Sequence, residues 1–343
     1  PKLVDAIHKQ AGKIIHCSNL YYTEPQSKLV ESLAELCGFE RIFLTNSGAE
    51  ANEGALKLAR KYGKTLHKEK TEIITAENSF HGRTLATLTA TGQPKYRDGY
   101  EPLPAGFRYV NFNDINSLEK TISDKTCAVM LEPIQGEGGI NMPAHGYLKA
   151  VRELCDKYDS LLIFDEIQTG VARTGNFLAS QGFDVKADIV TLAKGLGGGM
   201  PIGAFMSSDK IAQAFKLGDH GTTFGGNPLA SATANAVLSV IEEEGIIDNA
   251  RKMGDYTKKG LTEIMDKYPD LIVDVRGTGL MVGIELTCPG NVFADACLRE
   301  GVIINCTAGN VLRLVPALNI TEHHVDEVLA VIGKVMADYM SSK

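Results

Sequence analysis

Short apolar, β-branched stretches alternate with amphipathic ones along most of this chain, and that alternation constrains its fold more than any other feature. Strands are expected at 72–76, 108–110, 127–131, 161–165, 189–192 and 202–206, with helices at 26–37, 48–62, 114–122, 145–158 and 227–243. Such a rhythm builds an α/β domain, a mainly parallel sheet flanked by helices. Ligands of these sheets bind beyond the carboxyl ends of the strands. The rhythm changes after residue 250. A long helix at 248–267 precedes strands near 272–276, 280–286, 302–305 and 311–314, and a last helix at 321–341. The expectation is a large α/β domain over 1–250 and a smaller C-terminal α+β domain over 251–343. A length of 343 residues also favours two domains.

Charge and cysteine usage exclude several functions. A net charge of −7 argues against a nucleic-acid footprint, which is usually basic. Cys17, Cys37, Cys127, Cys155, Cys288, Cys297 and Cys306 are scattered and form no C-x-x-C pair. Reduced thiols in a cytoplasmic protein fit this better than a disulfide framework or a zinc site. No apolar run approaches the ~18 residues of a membrane span. The chain opens at Pro1 on what already reads as helix, with no initiator Met and no signal peptide, which suggests an incomplete chain.

The chemistry gathers at strand ends. In "IVTLAKGLGGGMPIGA" (189–204), Lys194 follows an apolar strand and is succeeded by Gly195, Gly197, Gly198 and Gly199. An ammonium in apolar company needs a reason, and glycines let a ligand approach the backbone. The stretch is no dinucleotide fingerprint, because Met200 stands at the third glycine position, and no phosphate-binding G-x-x-x-x-G-K-[ST] loop occurs anywhere. In "LLIFDEIQTG" (161–170), four apolar residues deliver Asp165 and Glu166 to the mouth of the sheet; an isolated acidic pair there is as readily a solvated strand end. In "LTNSGAEANEGALKLARKYG" (44–63), Ser47 and Glu50 form an S-x-x-E capping box, and Gly48 leaves the first-turn N–H groups open to an anion. Phe80, His81 and Arg83 crowd the loop around Gly82, where a lone aromatic is ordinarily a packing residue. "LEPIQGEGG" (131–139) adds Glu132 and Glu137, the latter either a turn carboxylate or a gate.

Together these parts match what pyridoxal 5′-phosphate requires. Its phosphate needs anion-binding amides. Its pyridine nitrogen needs a carboxylate to stay protonated. Its ring needs a stacking face, and its aldehyde needs a lysine amine. Lys194 is the expected imine-forming lysine, and its amine, once displaced by a substrate amine, can carry a proton.

The motifs "NSGAEANEGALKLARKY", "FHGRT", "EPIQGEGG", "FDEIQTGVARTG", "LAKGLGGGMPIGA" and "HGTTFGGNPLA" resemble, in content and order, those of the class III (ω-amino acid) aminotransferases. The resemblance covers essentially the whole chain, and "SNLYYTEPQ" (18–26), which contains Tyr22, narrows it towards the members acting on N-acetylornithine. It implies fold type I of the pyridoxal-phosphate enzymes and a homodimer with shared active sites in the cytoplasm. It implies transfer of a δ-amine to 2-oxoglutarate, giving glutamate, in arginine biosynthesis. By resemblance, Ser47, Gly48 and Ala49 form the phosphate cup, Phe80 stacks on the ring with His81 beside it, and Asp165 partners the pyridine nitrogen. Gln168 lies near the ring hydroxyl, and Thr223 reaches the neighbouring subunit's phosphate. Arg83 and Arg313 (in "NVLRLVP") match carboxylate-binding arginines, Glu137 the partner of Arg313, and Tyr22 a substrate-binding residue. Without the resemblance, Arg313 reads as a strand-edge surface charge. Glu132 matches a motif glutamate to which no role is assigned. Family members carry several dozen residues before the segment matching Pro1, which help cover the substrate entrance. Other ω-amino donors (succinylornithine, ornithine, 4-aminobutyrate, a carrier-bound amine) and a non-catalytic homologue are the alternative readings; the intact lysine, aspartate and arginines count against the last.

Overall fold

A computed structural model describes residues 1–342. Its large sheet has seven strands: β1 (Arg41–Thr45), β2 (Glu72–Ala76), β3 (Phe107–Val110), β4 (Thr126–Leu131), β5 (Leu161–Asp165), β6 (Ile189–Leu192) and β7 (Gly203–Ser207). They lie in the order β1-β7-β6-β5-β4-β2-β3. Neighbours from β3 to β6 are parallel, while β7 runs antiparallel to both β6 and β1. The sheet is thus mainly parallel, with one reversed strand, and β1 points the same way as β6.

Residues alternate between the two faces with the period of two that a strand imposes. Val129, Leu131, Leu162, Phe164, Val190 and Leu192 fill one core, and Ala128, Met130, Leu161, Ile163 and Ile189 the other. Helix Gly48–Leu66 covers the second face through Ala55, Leu56, Leu58 and Ala59. Helices Glu24–Cys37, Tyr147–Lys157 and Pro228–Glu243 cover the first. Burial on both faces is why these strands read as nearly continuous apolar runs.

A second sheet is antiparallel throughout: β8 (Ile272–Thr278), β9 (Met281–Leu286), β10 (Asn305–Thr307) and β11 (Val311–Leu314), in the order β10-β11-β9-β8. Helices Asn291–Arg299 and Glu322–Ser341 pack on it. Residue 250 falls inside helix Ile246–Lys267, whose Ile246 belongs to the large-sheet core and whose Leu261 and Ile264 belong to the small one. Arg173 ties the two parts. It is largely buried and donates to the carbonyls of Leu280 (2.9 Å) and Pro316 (2.7 Å). Burial without a carboxylate pulls its pKa down to about 10.

Several elements depart from the sequence reading. Strand β1 was not expected, since "RIFLT" opens on an arginine and is short. The short helix Leu85–Ala90 and helix Asn291–Arg299 were also missed. The strand expected near 302–305 lies at Asn305–Thr307, because Val302–Ile304 lead into the pairing with β11 rather than joining it. All seven cysteines are free. Among the described residues, no helix is long and apolar enough to cross a membrane, and no His/Cys/Asp/Glu group could hold a metal ion.

Candidate active site

The loops after β1, β2, β4, β5 and β6 all open on the same edge of the sheet, where they enclose a cavity of about 360 Å³. That is within the range of small-molecule pockets. Ser47, Gly48, Ala49, Phe80, His81, Glu132, Asp165, Gln168 and Lys194 line it together. Nine expected or motif residues, spread over almost 150 positions of sequence, therefore meet at one place.

Asp165 ends β5 and is 3 % exposed. Its Oδ2 accepts from Asn52 Nδ2 and from His81 Nδ1, both at 2.8 Å, and its Oδ1 from the Ile167 N–H at 3.1 Å. Because a carboxylate only accepts, His81 carries its proton on Nδ1 here. His81 Nε2 is buried with no protein partner. The second acid of the strand end turns away. Glu166 is fully buried and accepts from Thr169 Oγ1 (2.7 Å) and from the N–H groups of Ala179 and Ser180 (both 2.8 Å). Burial raises its pKa, against the pull of these donors. It anchors the following segment and takes no part in the cavity.

Ser47 caps helix Gly48–Leu66, its side chain accepting from the Glu50 N–H at 3.2 Å. The return half of the expected capping box is displaced by one residue: the Glu50 carboxylate takes the backbone and side-chain N–H groups of Asn46, both at 2.8 Å. The first intrahelical bond runs from Ala51 N–H to Ser47 O, so the N–H groups of Gly48 and Ala49 precede it and stay available at the positive end of the helix. A Cβ at Gly48 would stand 2.8 Å from the Ile167 side chain, crowding the cavity wall.

Lys194 follows β6 at the start of a single 3₁₀ turn, Lys194–Gly197, with φ at +43°. A non-glycine residue rarely adopts that conformation, and its strain is of the kind that gathers at functional sites. Phe80 is held by its own N–H, which donates to Glu132 Oε2 at 3.1 Å, and packs edge-on against Tyr96. Glu132 Oε1 accepts from the Gly136 N–H at 3.1 Å. Glu132 thus joins the Phe80 loop to the glutamate loop, an assignment the sequence did not allow. Burial, and then Asp165, push its pKa up to about 7, while His81 and the two N–H donors pull the other way.

Glu137 and Arg313 do not line the cavity themselves; they meet beyond Gln168, at its mouth, where Glu137 Oε1 accepts from Arg313 Nη1 at 2.6 Å. Gln168 Oε1 accepts from the same nitrogen at 3.2 Å, and Asn305 Oδ1 from Arg313 Nε at 3.2 Å. The Arg313 side chain is only 11 % exposed, so it is no strand-edge surface charge. Arg83 is exposed and outside the cavity wall, its guanidinium 4.7 Å from the Tyr96 ring centre. Tyr22 and Thr223 are also exposed and do not line the cavity; Tyr22 borders a second groove with Thr222 and His220. Asn52 went unpredicted, although a polar residue on the buried face of an otherwise apolar helix was a usable signal. Arg173 and Arg276 were missed because nothing in "VARTG" or "VRGTG" indicates what their guanidinium groups reach.

Pyridoxal phosphate fits these residues. A helix end with free N–H groups suits a dianion, a buried carboxylate with three donors suits a pyridinium, and His81 Nε2 is an orphaned buried atom beside that carboxylate. Fold and site define a pyridoxal-phosphate enzyme. Residues 1–336 match the family Aminotransferase class-III, and the chain belongs to that family. It is 52 % identical over 339 residues to the acetylornithine aminotransferase of Methanocaldococcus jannaschii, covering 98 % of this chain and 85 % of that one. It is 50 % identical over 340 residues to the acetylornithine aminotransferase of Methanothermobacter thermautotrophicus, with the same coverage. Among solved structures, N-acetylornithine aminotransferase from Stenotrophomonas maltophilia matches with TM-score 0.86 and 39 % identity, over 100 % of this chain and 87 % of that one. Ornithine aminotransferase from Toxoplasma gondii matches with TM-score 0.96 and 33 % identity, over 100 % and 83 %. The fold is that of the type I pyridoxal-phosphate transferases, the cofactor is pyridoxal phosphate, and the chain is a transaminase.

Proposed function

We propose that this enzyme moves the δ-amine of N2-acetylornithine to 2-oxoglutarate, giving N-acetylglutamate semialdehyde and glutamate, a step of arginine biosynthesis. The observation that carries the reading is the Glu137–Arg313 pair at the cavity mouth, 2.6 Å long and mostly buried. Relatives at 52 and 50 % identity that are acetylornithine aminotransferases support it.

Pyridoxal phosphate supplies an electron-withdrawing ring that makes the C–H beside an attached amine acidic. The protein's own residues do the rest. Gly48 and Ala49, with Ser47 beside them, would hold the phosphate through their N–H groups. Asp165, kept in place by Asn52 and His81, would keep a proton on the ring nitrogen. Phe80 would cover a ring face, Gln168 would bind the ring hydroxyl, and Lys194 Nζ would carry the proton. A δ-amine donor has no carboxylate next to its amine, so Glu137 stays on Arg313 and cancels a charge that would be costly alone. Glutamate brings an α-carboxylate, which replaces Glu137 on the guanidinium. Arg83 holds the far carboxylate of either substrate.

Thr223 and Tyr22 act in the neighbouring subunit's site of a homodimer; their exposure away from this chain's cavity supports that role. Mixed dimers of a Thr223→Val and a Lys194→Ala variant should regain activity in one site of two, and a fully active monomer would rule this out. The enzyme is placed in the cytoplasm, in keeping with its seven free cysteines. The deciding experiment ranks N-acetylornithine, N-succinylornithine, ornithine and 4-aminobutyrate by kcat/KM with 2-oxoglutarate as acceptor. N-acetylornithine should lead, and another donor in first place would overturn the substrate assignment.

A further inference from the structure

The loop that carries Glu137 is held by the small sheet, and the residue holding it is one that no motif singles out. Gln135 and Asn141 close the base of the loop by exchanging backbone hydrogen bonds at 3.1 Å. Inside it, Gly139 has φ at +113° and Ile140 at +52°. Glycine takes such a conformation freely, but a β-branched residue there is a true outlier. Ile140 is nonetheless wholly buried, packed with Ile134 and Met281. Something must keep the chain in this shape.

Arg276, on β8, does so. Its Nη2 donates to Gly139 O at 2.7 Å, and its Nε is shared between Gly139 O (3.1 Å) and Ile140 O (3.0 Å). Its Nη1 is neutralised by Asp274 at 3.1 Å and by Glu285. Thr307 adds a hydrogen bond to the Glu137 carbonyl. Arg313 is fixed separately, by Asn305 and Gln168. The carboxylate and the guanidinium of the pair are therefore set by different contacts, and loosening the first leaves the second in place.

We infer that Arg276 is a specificity-determining positioning residue: by clamping the carbonyls of Gly139 and Ile140 it fixes how firmly Glu137 holds Arg313, and so how well the site takes a dicarboxylate against a δ-amine donor. This rests on the charge switch proposed above. Loss of the clamp lets the loop relax, frees Arg313 for more of the time and favours glutamate. It touches neither the cofactor cavity nor the reacting atoms.

The test compares holoenzyme of the parent, Glu137→Gln, Arg276→Met, Arg276→Lys and the double variant Glu137→Gln/Arg276→Met. Calorimetry measures the Kd of glutarate, a dicarboxylate with no amine or keto group to react, and steady-state kinetics gives KM and kcat for glutamate and for N-acetylornithine. Glu137→Gln and Arg276→Met should each tighten glutarate by about fivefold and lower the KM of glutamate relative to N-acetylornithine, the Arg276 effect falling on KM rather than kcat. Arg276→Met should add nothing in the Glu137→Gln background. Arg276→Lys should lie between parent and Met, and carries the comparison if the Met variant does not fold. An unchanged glutarate Kd in Glu137→Gln sinks the charge switch and this inference with it. If Glu137→Gln tightens glutarate while the Arg276 variants do not, or if they do so equally in the double variant, the switch stands and the role of Arg276 is overturned.

Discussion

The floor and the mouth of the cavity are built on different principles. The floor belongs to one sheet. Asp165, His81 and Asn52 close a buried network of short hydrogen bonds in which every partner comes from the large domain. The mouth is assembled across a seam. Glu137 and Arg313 stand 176 positions apart in sequence, one on the loop after β4 and the other on β11, and keep part of their surface in water. A buried hydrogen-bonded network is stiff, and breaking one member strands the others. A pair that keeps some of its surface in water exchanges partners at lower cost than a sealed network. The floor is therefore suited to chemistry common to both half-reactions, and the mouth to choosing between their substrates. Floor substitutions should slow both donors alike, and mouth substitutions should change their ratio.

The largest effect is expected at Lys194. Lys194→Ala should leave no measurable turnover with either donor, because the amine that binds the cofactor and carries the proton is gone. Borohydride reduction of the parent followed by peptide mapping should label Lys194, and a label on another lysine would refute the assignment. Asp165→Asn should keep the cofactor bound and slow both half-reactions by a similar factor. A loss of ~2–4 kcal/mol of electrostatic stabilisation corresponds to about thirtyfold to a thousandfold. Near-normal kcat, or unequal slowing, would break the contrast between floor and mouth.

Glu137→Ala tests the mouth. It leaves Arg313 always available to glutamate and unpaired beside N-acetylornithine, a cost of ~1–3 kcal/mol after partial hydration. The ratio of single-turnover rate constants should shift towards glutamate by one to two powers of ten, roughly. Equal slowing of both donors would make Glu137 a turn residue only.

The smallest effect on turnover is expected at Glu132, which joins floor to mouth and whose signature is in stability. Its folded pKa of about 7 lies above its ordinary 4.5. The native state therefore holds the extra proton between those values, and its stability contribution is lost as pH rises through them. Glu132→Gln, which cannot titrate, should gain on the parent in unfolding free energy between about pH 5 and 7, by up to ~3 kcal/mol in the cofactor-free chain. A difference that is flat with pH would show that Glu132 is not a buried acid of raised pKa.

Local sequence carried much of this. The apolar runs ending in Asp165 and Lys194 announced buried strands, and the chemistry at their ends became legible when the helix cap and the aromatic loop were taken with them. The Ser47–Glu50 spacing announced the helix whose N–H groups face the cavity. Legibility failed where the signal was not local. Strand β1 is five residues long and is stabilised by pairing with β7, 158 positions later at Thr45↔Gly203. Asn52 stood out only by lying on the buried face of its helix, and the carboxylate that explains it is 113 positions away. Glu132 and Glu166 both read simply as acids just past an apolar strand, yet one links two loops of the cavity and the other fastens a turn behind it.

What the sequence by itself determined is the order of strands and helices, the helix cap, and the residue types delivered to the strand ends. These depend on periodicities and spacings of a few residues, which a chain carries wherever it goes. Tertiary structure alone decided that β7 is reversed, that Arg313 is buried against Glu137 and Gln168, and that Arg276 holds the backbone of a loop from the other sheet. Those facts depend on which distant segments share a seam. A guanidinium is the same five donors in any sequence, and only packing settles which carbonyls or carboxylates lie within its reach.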